Sequence, residues 1–173
     1  PKRSAQLLIT ADRGLAGAYS TNVIKAAESL HARQRESGQE VKQYLSGRKG
    51  AAYFAFRNRV VERKWEGDSD APSYQVAREM ADELIKQFLT PVEDGGVDEI
   101  HLVFTRFVSM LTQKPEVVRL LPLEVVEGTE VPEPGSVLPV YDFEPDADSV
   151  LDQLLPLYVA NRIHFALLQS AAS

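Results

Sequence analysis

Residues that could bind a phosphate group lie together in the stretch Gln6 to Lys25, QLLITADRGLAGAYSTNVIK. Gly14 and Gly17 permit a cramped backbone in a turn, and a Ser, Thr or Asn just beyond can cap the first N–H groups of a helix. A helix N-terminus at the carboxyl edge of a sheet is where α/β proteins bind anions. These residue types are therefore those of a phosphate-binding turn.

The spacing of the two glycines argues against a nucleotide site. The turn reads G-x-x-G rather than G-x-G-x-x-G, and no Gly-Lys-Ser/Thr follows it. A dinucleotide fold also needs an acidic residue after its second strand to hold the ribose, whereas the strand Glu40 to Leu45 is followed by Ser46 and Gly47. A free-standing nucleotide- or phosphate-binding regulatory module that uses the Gly14/Gly17 turn is kept as the alternative function.

Asp12 and Arg13 are the charged pair at the start of this turn. We expect them to bind the turn to itself and to neighbouring backbone; a small hydrolase that uses Asp12 is a weaker alternative. The segment Ser46 to Gly50 is a second glycine-containing turn with cations. We interpret it as the ordinary loop at the end of a parallel strand, with Arg48 and Lys49 solvated.

The remaining polar residues assemble no catalytic centre in the sequence. The histidines form no i, i+4 pair and no H-E-x-x-H pattern, so we expect structural or surface roles rather than metal binding. No G-x-S-x-G elbow supports acyl transfer, and the acidic clusters fall in predicted loops and caps. The sequence therefore predicts a chain that is not an enzyme by itself, with no catalytic residue, cofactor or metal. The histidines are His31, His101 and His164, and the acidic clusters are Asp68/Asp70, Glu93/Asp94 and Asp146/Asp148.

Length and composition indicate one globular domain spanning residues 1–173. The hydrophobic content of 44% and charged content of 25% are ordinary for such a domain. A net charge of -6 without basic blocks disfavours nucleic-acid binding. The absence of cysteine excludes disulfides and thiolate metal sites. No apolar run approaches the 18 residues of a membrane span, so any membrane contact must be indirect, through a partner.

Apolar patterns predict strands that alternate with helices along the chain. We predict an α/β fold with a Rossmann-like, doubly wound, mostly parallel sheet of about five strands and helices on both faces. The predicted strands are Leu7 to Ile9, Val41 to Leu45, Arg59 to Trp65, Ile100 to Phe104 and Val117 to Val126. The predicted helices run from Ser20, Thr21 or Asn22 to about Ser37, from Ala51 to Phe56, from Tyr74 to Leu89, and from Asp146 or Asp148 to the C-terminus.

Two of these strands and the last helix carry further signals. Charged residues place Arg59 to Trp65 toward an edge, and Pro122 makes its strand an edge strand or breaks it, because proline donates no ladder hydrogen bond. The last helix is apolar on more than one face, so it must bury against two surfaces, the sheet and a helix from outside this chain. Pro156 should bend it or cost roughly 3 kcal/mol.

Four motifs resemble the gamma subunit of bacterial F-type ATP synthases. The segment T-A-D-R-G-L-A-G-A-Y-S-T-N, Thr10 to Asn22, resembles the family pattern T-S-D-R-G-L-C/A-G-x-F/Y-N-x-N. Ala11, Ala16 and Ser20 depart from its commonest form but keep size and turn chemistry. The other motifs are F-V-S-M-L-T-Q-K-P-E-V-V-R-L-L-P-L from Phe107 to Leu123, Y-D-F-E-P-D from Tyr141 to Asp146, and A-L-L-Q-S-A-A-S from Ala166 to Ser173.

The resemblance implies a non-catalytic rotor subunit that couples rotation of the membrane rotor ring to ATP synthesis or hydrolysis in the catalytic ring. Residues 1–173 would be its central globular part, cut from a longer protein whose coiled-coil ends are missing. The implied partners are the epsilon subunit, the c-ring and the alpha/beta catalytic hexamer, at the cytoplasmic face of the bacterial plasma membrane.

The resemblance also implies partner-binding residues in two segments. One segment would lie beneath the catalytic ring, and the other toward the epsilon subunit. The first consists of Arg13, Gly14, Leu15 and Ala16, and the second of Tyr141, Asp142, Phe143 and Glu144.

Overall fold

The computed structural model describes residues 1–13, 18–123 and 147–173. Strands and helices alternate through most of these residues, as the sequence predicts. In chain order the elements are β1 (Arg3–Ile9), α1 (Ala18–Glu36), β2 (Glu40–Ser46), α2 (Arg48–Phe56), β3 (Arg63–Trp65), α3 (Tyr74–Leu89), β4 (Glu99–Ser109), β5 (Thr112–Leu121) and α4 (Ala147–Ala172).

The strands form a five-stranded sheet in the order β3-β2-β1-β4-β5. β1 to β4 are mutually parallel, and β5 runs antiparallel to β4 at the edge. In the register, Leu8 lies opposite Leu45 on one side and Val103 on the other. The sheet confirms the predicted α/β class and its mostly parallel strands.

Helices cover both faces of this sheet, because successive side chains of a strand point to opposite faces. Leu8 packs with Val23 of α1 and Phe54 of α2 in one apolar cluster. Leu7 packs with Met80 of α3 and Ile163 of α4 in a second cluster on the other face. β1 is therefore buried on both sides, which confirms the doubly wound arrangement predicted from its continuous apolar run.

The predicted boundaries of α3 are confirmed at both ends. The Ser73 side chain accepts a hydrogen bond from the N–H of Val76 at 3.1 Å, so it caps the first turn. The apolar stripe that predicted the helix is buried on the sheet. Local signals thus sufficed where the cap and the stripe belong to the helix itself.

Four other boundaries were predicted wrongly. β1 begins at Arg3 rather than Leu7, because its first residues pair with β2 and β4. α1 begins at Ala18, earlier than expected, and α2 begins at Arg48 rather than Ala51, because side chains from another loop bind its first N–H groups. β3 begins only at Arg63, since Arg59 turns toward α1 and its guanidinium donates to a Glu28 carboxylate oxygen at 2.9 Å.

The β4–β5 hairpin also differs from prediction. β4 continues past Phe104 because it pairs with β5 beyond the end of β1. β5 precedes the predicted Val117 to Val126 strand by several residues and ends before Pro122, which has no N–H to donate. The expected edge position of this strand is confirmed.

Side chains of α4 bind the part of β4 that lies beyond the end of β1. The N–H of Thr105 donates to the Ser170 hydroxyl at 3.3 Å, and the N–H of Phe107 donates to the Gln169 side-chain oxygen at 3.0 Å. These two residues belong to the A-L-L-Q-S motif of the sequence. Their side-chain oxygens accept hydrogen bonds from β4 N–H groups, which would donate to the carbonyl groups of β1 if that strand were longer.

The last helix buries one face on the sheet and on α3. Its side chains Val159, Ile163 and Leu167 lie in the core. Leu157 and Phe165 remain 42% and 45% exposed, so the second covering surface stays a prediction. The predicted caps of this helix, at positions 146 and 148, fall where no side chain is described.

Gly47 joins β2 to α2 in a conformation that requires glycine. Its φ is +99°, and a Cβ placed there would lie 2.1 Å from the carbonyl oxygen of Thr10. Its own N–H donates to the Trp65 carbonyl at 2.8 Å. Gly38 has a similar φ of +83°, but no atom lies within 4 Å of its would-be Cβ.

We predict that Gly47→Ala destabilises the fold much more than Gly38→Ala. The Gly38 variant should lose about 1–2 kcal/mol, the cost of a left-handed conformation at a residue with a Cβ. The Gly47 variant adds a clash with fixed backbone, so its loss should be clearly larger. Urea denaturation of both variants measures the difference, and equal losses would contradict the close packing of Gly47 against Thr10.

Candidate functional site

Three loops meet at the carboxyl edge of the sheet, and the Asp12 carboxylate joins them. One carboxylate oxygen accepts from the N–H of Arg48 at 3.2 Å and from that of Gly67 at 2.9 Å. The other oxygen accepts from the N–H of Ser69 at 2.8 Å. The N–H of Asp12 donates in return to the Ser69 hydroxyl at 2.9 Å. The segments after β1, β2 and β3 are thereby held by one side chain.

Thr10 makes a second set of contacts between the same strands. Its hydroxyl donates to the Ser46 carbonyl at 3.0 Å and accepts from the N–H of Gly50 at 2.9 Å. Its backbone N–H donates to the Ser46 carbonyl at 2.8 Å. Thr10 is fully buried, so these bonds exchange little with water.

These contacts occupy the N-terminus of α2, where a phosphate would otherwise bind. The first N–H groups of the helix donate to Asp12 from Arg48, to the Ala11 carbonyl from Lys49, and to Thr10 from Gly50. A helix N-terminus attracts anions because its N–H groups are unpaired and its dipole is positive there. Here the protein supplies its own carboxylate, so the loop from Ser46 to Gly50 is structural, as predicted.

The hydrogen bonds set the protonation state of Asp12. Burial by itself would raise the pKa of this carboxyl, but N–H groups of Gly67, Ser69 and Arg48 and the Ser69 side chain outweigh it. The pKa therefore lies below the ordinary value of 3.8. The carboxylate oxygens accept from backbone N–H groups of the segments after β2 and β3, which is the structural role expected for Asp12, and this geometry gives the hydrolase alternative no support.

Arg13 leaves this network and points outward. Its guanidinium binds the Asp70 carboxylate at 3.0 Å, and the two side chains are 80% and 66% exposed. Such an exposed pair contributes little to stability. Arg13 is the one predicted partner-binding residue within the described structure; Gly14, Leu15, Ala16, Tyr141, Asp142, Phe143 and Glu144 lie outside the described residues.

A small cavity beside Arg13 separates the end of β1 from the end of α4. Its volume is about 90 Å³, and its lining includes Thr10, Ser69 and Ser170. Ligand pockets for nucleotide-sized molecules are commonly 300–1,000 Å³. The cavity is therefore too small for a nucleotide.

The histidines bind neighbouring elements of the fold. The Nδ1 atom of His101 forms a hydrogen bond with the Ser4 hydroxyl at 3.0 Å. The Nδ1 atom of His31 lies 2.9 Å from the Arg59 guanidinium, within hydrogen-bond distance. Burial and the positive charge of Arg59 lower the pKa of His31. His164 packs edge-on against Tyr74. These contacts are those of structural side chains, and within the described ranges no group of potential ligands could hold a metal ion.

Comparison with known proteins decides the family. A family model described as ATP synthase matches residues 1–173. The ATP synthase gamma chain of Acidothermus cellulolyticus is 59% identical over 173 residues, which cover 100% of this chain and 57% of that protein. The chain belongs to the ATP synthase gamma-chain family. The gamma chain of Clavibacter sepedonicus is 55% identical over 172 residues, covering 99% of this chain and 58% of its own length.

Solved structures share the fold of this gamma-chain family member. A chain of the Tetrahymena thermophila mitochondrial ATP synthase central stalk and c-ring has a TM-score of 0.71 at 18% identity, covering 99% of this chain and 71% of that one. A chain of the Euglena gracilis mitochondrial ATP synthase rotor has a TM-score of 0.66 at 14% identity, covering 98% and 61%. At such identities the likeness shows the fold alone. The chain spans a little over half the length of the curated relatives named above.

The family assignment made from the four motifs is confirmed, and the nucleotide-binding alternative finds no support in these comparisons. The sequence did not reveal the Thr10 and Ser69 contacts, although both residues lie next to acidic or glycine-rich segments. In the described part of this gamma-chain sequence, no helix combines the length and apolarity that crossing a bilayer requires.

We predict that Asp12→Asn lowers the free energy of unfolding by about 1–3 kcal/mol at neutral pH. The side-chain amide nitrogen of Asn would face a backbone N–H group that donates a hydrogen bond to a carboxylate oxygen in the unsubstituted chain. Because the folded pKa lies below 3.8, the stabilisation is complete above that value and disappears as pH falls through the folded pKa. The difference from the unsubstituted chain should therefore shrink in acid.

Urea denaturation across pH 2 to 7 measures this difference. Asp70→Asn is the matched control, because among the described residues the ion pair of Asp70 is with exposed Arg13. This substitution should change stability by less than about 0.5 kcal/mol. If the two variants were equally stable, Asp12 would not hold the loops together.

Proposed function

We propose that this chain is the central globular part of a non-catalytic rotor subunit in an F-type ATP synthase. Its rotation would couple proton flow through the membrane rotor ring to ATP synthesis or hydrolysis in the catalytic ring. The supporting observation is the family match over residues 1–173. The self-occupied N-terminus of α2 agrees with this function, because it leaves no phosphate site on that helix.

The physical requirement of a rotor part is stiffness under torque. A sheet packed on both faces resists deformation, since protein interiors are close-packed. The Asp12 network adds hydrogen bonds between three loops at one edge. Gln169 and Ser170 add a connection from α4 to β4. These features of the described residues support a domain that transmits force.

The proposed partners are the alpha/beta catalytic hexamer, the epsilon subunit and the c-ring. Arg13 and residues 14–16 would face the catalytic hexamer, and residues 141–144 would face epsilon. Membrane contact would be indirect, through the complex, at the cytoplasmic face of the bacterial plasma membrane. The exposed guanidinium of Arg13 supports the first of these contacts.

Functional replacement tests the proposal. The full-length protein, co-expressed with the alpha, beta and epsilon subunits of its organism, should yield a complex that hydrolyses ATP and, in membranes with the rotor ring, couples hydrolysis to proton pumping. The full-length protein alone should show no turnover. Turnover by the isolated chain, or assembly of the other subunits into a coupled complex without it, would refute the proposed role.

We further predict that Tyr141→Ala with Phe143→Ala weakens epsilon binding by about tenfold or more, because aromatic side chains are frequent anchors of interfaces. Calorimetric titration of the full-length protein with epsilon measures the affinity, and circular dichroism checks that the fold is unchanged. Val60→Ala serves as the control, since Val60 is 81% exposed and lies outside the proposed interface. Unchanged affinity in the double variant would remove residues 141–144 from that interface.

A further inference from the structure

The β4–β5 hairpin extends beyond the sheet as a two-stranded arm. β1 pairs with β4 only as far as Leu8 opposite Val103, whereas β4 and β5 remain paired to Ser109 opposite Thr112. Six further residues at about 3.3 Å each carry the tip roughly 20 Å past the end of that pairing. The arm leaves from the same edge as the Arg13 loop, because β1 and β4 are parallel.

The arm ends in large apolar side chains that face solvent. Met110 is 87% exposed, Leu111 is 95% exposed and Val108 is 54% exposed. Scattered apolar residues on a surface need no explanation, but a cluster at one projecting point is typical of an interaction site. Met is also suited to irregular apolar surfaces of a partner, because its side chain is flexible and polarizable.

The turn itself is poorly suited to a hairpin. Met110 and Leu111 form a two-residue connection, where Asn-Gly or Asp-Gly is the usual choice because type I′ turns need positive φ values. Among the described non-glycine residues only Asn58 has a positive φ, so this turn is not of that type. A register irregularity between Phe107 and Ser109 accompanies it. A turn that departs from the type favoured for a two-residue hairpin points to a function at that position.

The two strands of the arm place like charges opposite each other. Arg106 and Lys114 lie directly opposite each other in the register of β4 and β5. Like charges in that position destabilise a strand pair. Glu116 binds Arg106 at 3.4 Å. With Lys114 included, this part of the arm has a net positive charge. A partner with carboxylates beside its apolar pocket would relieve this repulsion.

The base of the arm is fixed, so the tip is presented in a defined direction. Ser170 and Gln169 of α4 bind the N–H groups of Thr105 and Phe107. A free two-stranded hairpin is only marginally stable in water. The contacts with α4 reach to within three residues of the turn.

We propose that Val108, Met110 and Leu111 insert into an apolar, acid-rimmed pocket at the end of the catalytic alpha/beta ring that faces the Arg13 loop. The inference rests on the proposed function, because it assigns the partner from the shared direction of the arm and that loop. The arm is then a contact of the rotor with the ring, separate in sequence from residues 13–16.

Site-specific crosslinking tests this contact. The 173 residues contain no cysteine, so Met110→Cys introduces one defined attachment point in this part of the full-length protein, after replacement of any cysteine elsewhere. The variant is assembled with alpha, beta and epsilon, labelled with a photoreactive maleimide and illuminated. Val60→Cys is the matched control, since Val60 is 81% exposed and lies in the connection that enters the opposite edge of the sheet.

We expect crosslinks from position 110 to alpha or beta, and none to these subunits from position 60. Met110→Ser with Leu111→Ser should weaken association with the alpha/beta ring about tenfold or more, while the melting temperature of the chain stays unchanged. An assembled complex that gives crosslinks only to epsilon, only to another copy, or to no subunit would overturn the arm contact and leave the proposed function intact. Failure of the unsubstituted protein to assemble would instead overturn both.

Discussion

The Asp12 carboxylate is the constraint on which the carboxyl edge of this sheet depends. Buried charge is expensive unless it is hydrogen-bonded, and here the N–H groups of Arg48, Gly67 and Ser69 satisfy it. The same bonds satisfy one of the first N–H groups of α2. The hydrogen bonds thus offset the desolvation cost of both the carboxylate and the N–H groups. The loops after three parallel strands acquire one fixed arrangement.

This arrangement explains how a fold used widely for nucleotide binding can serve a different role. In doubly wound proteins the ligand commonly lies outside the carboxyl ends of the strands, against a helix N-terminus. Here Asp12, Thr10 and the Ala11 carbonyl take those positions at α2. The positions that hold a ligand in those proteins are filled here by groups of the chain itself, which join the loops rigidly. This agrees with a gamma-chain family whose relatives are components of ATP synthases.

Two exposed features of the described molecule lie at the carboxyl edge. Arg13 projects from the first loop, and the arm carries Met110 and Leu111 beyond it. Behind them, α4 supports β4 through side chains rather than through an additional strand. A stiff body with specialised projections on one edge is suited to receiving or delivering force there, because load applied at the tip reaches packed elements within a few residues.

The sequence by itself determined the fold class, the family and those elements whose signals are local. α3 was placed correctly because its cap, Ser73, and its apolar stripe lie within the same short segment. The edge position of β5 followed from Pro122, which cannot donate to a ladder. The motifs identified the family because residue identities along the chain carry that information without any geometry.

Only the tertiary structure decided the bounds of the elements that depend on contacts between distant parts of the chain. The start of α2 depends on Asp12 and Thr10, which are more than thirty positions away. The extension of β4 past Phe104 pairs with β5 and is also bound by Gln169 and Ser170, which are about sixty positions away. Sequence patterns report neighbours along the chain, whereas these bonds join segments that meet only after the sheet has formed. The function of Asp12 as a junction and the projection of the arm are therefore properties of the folded protein.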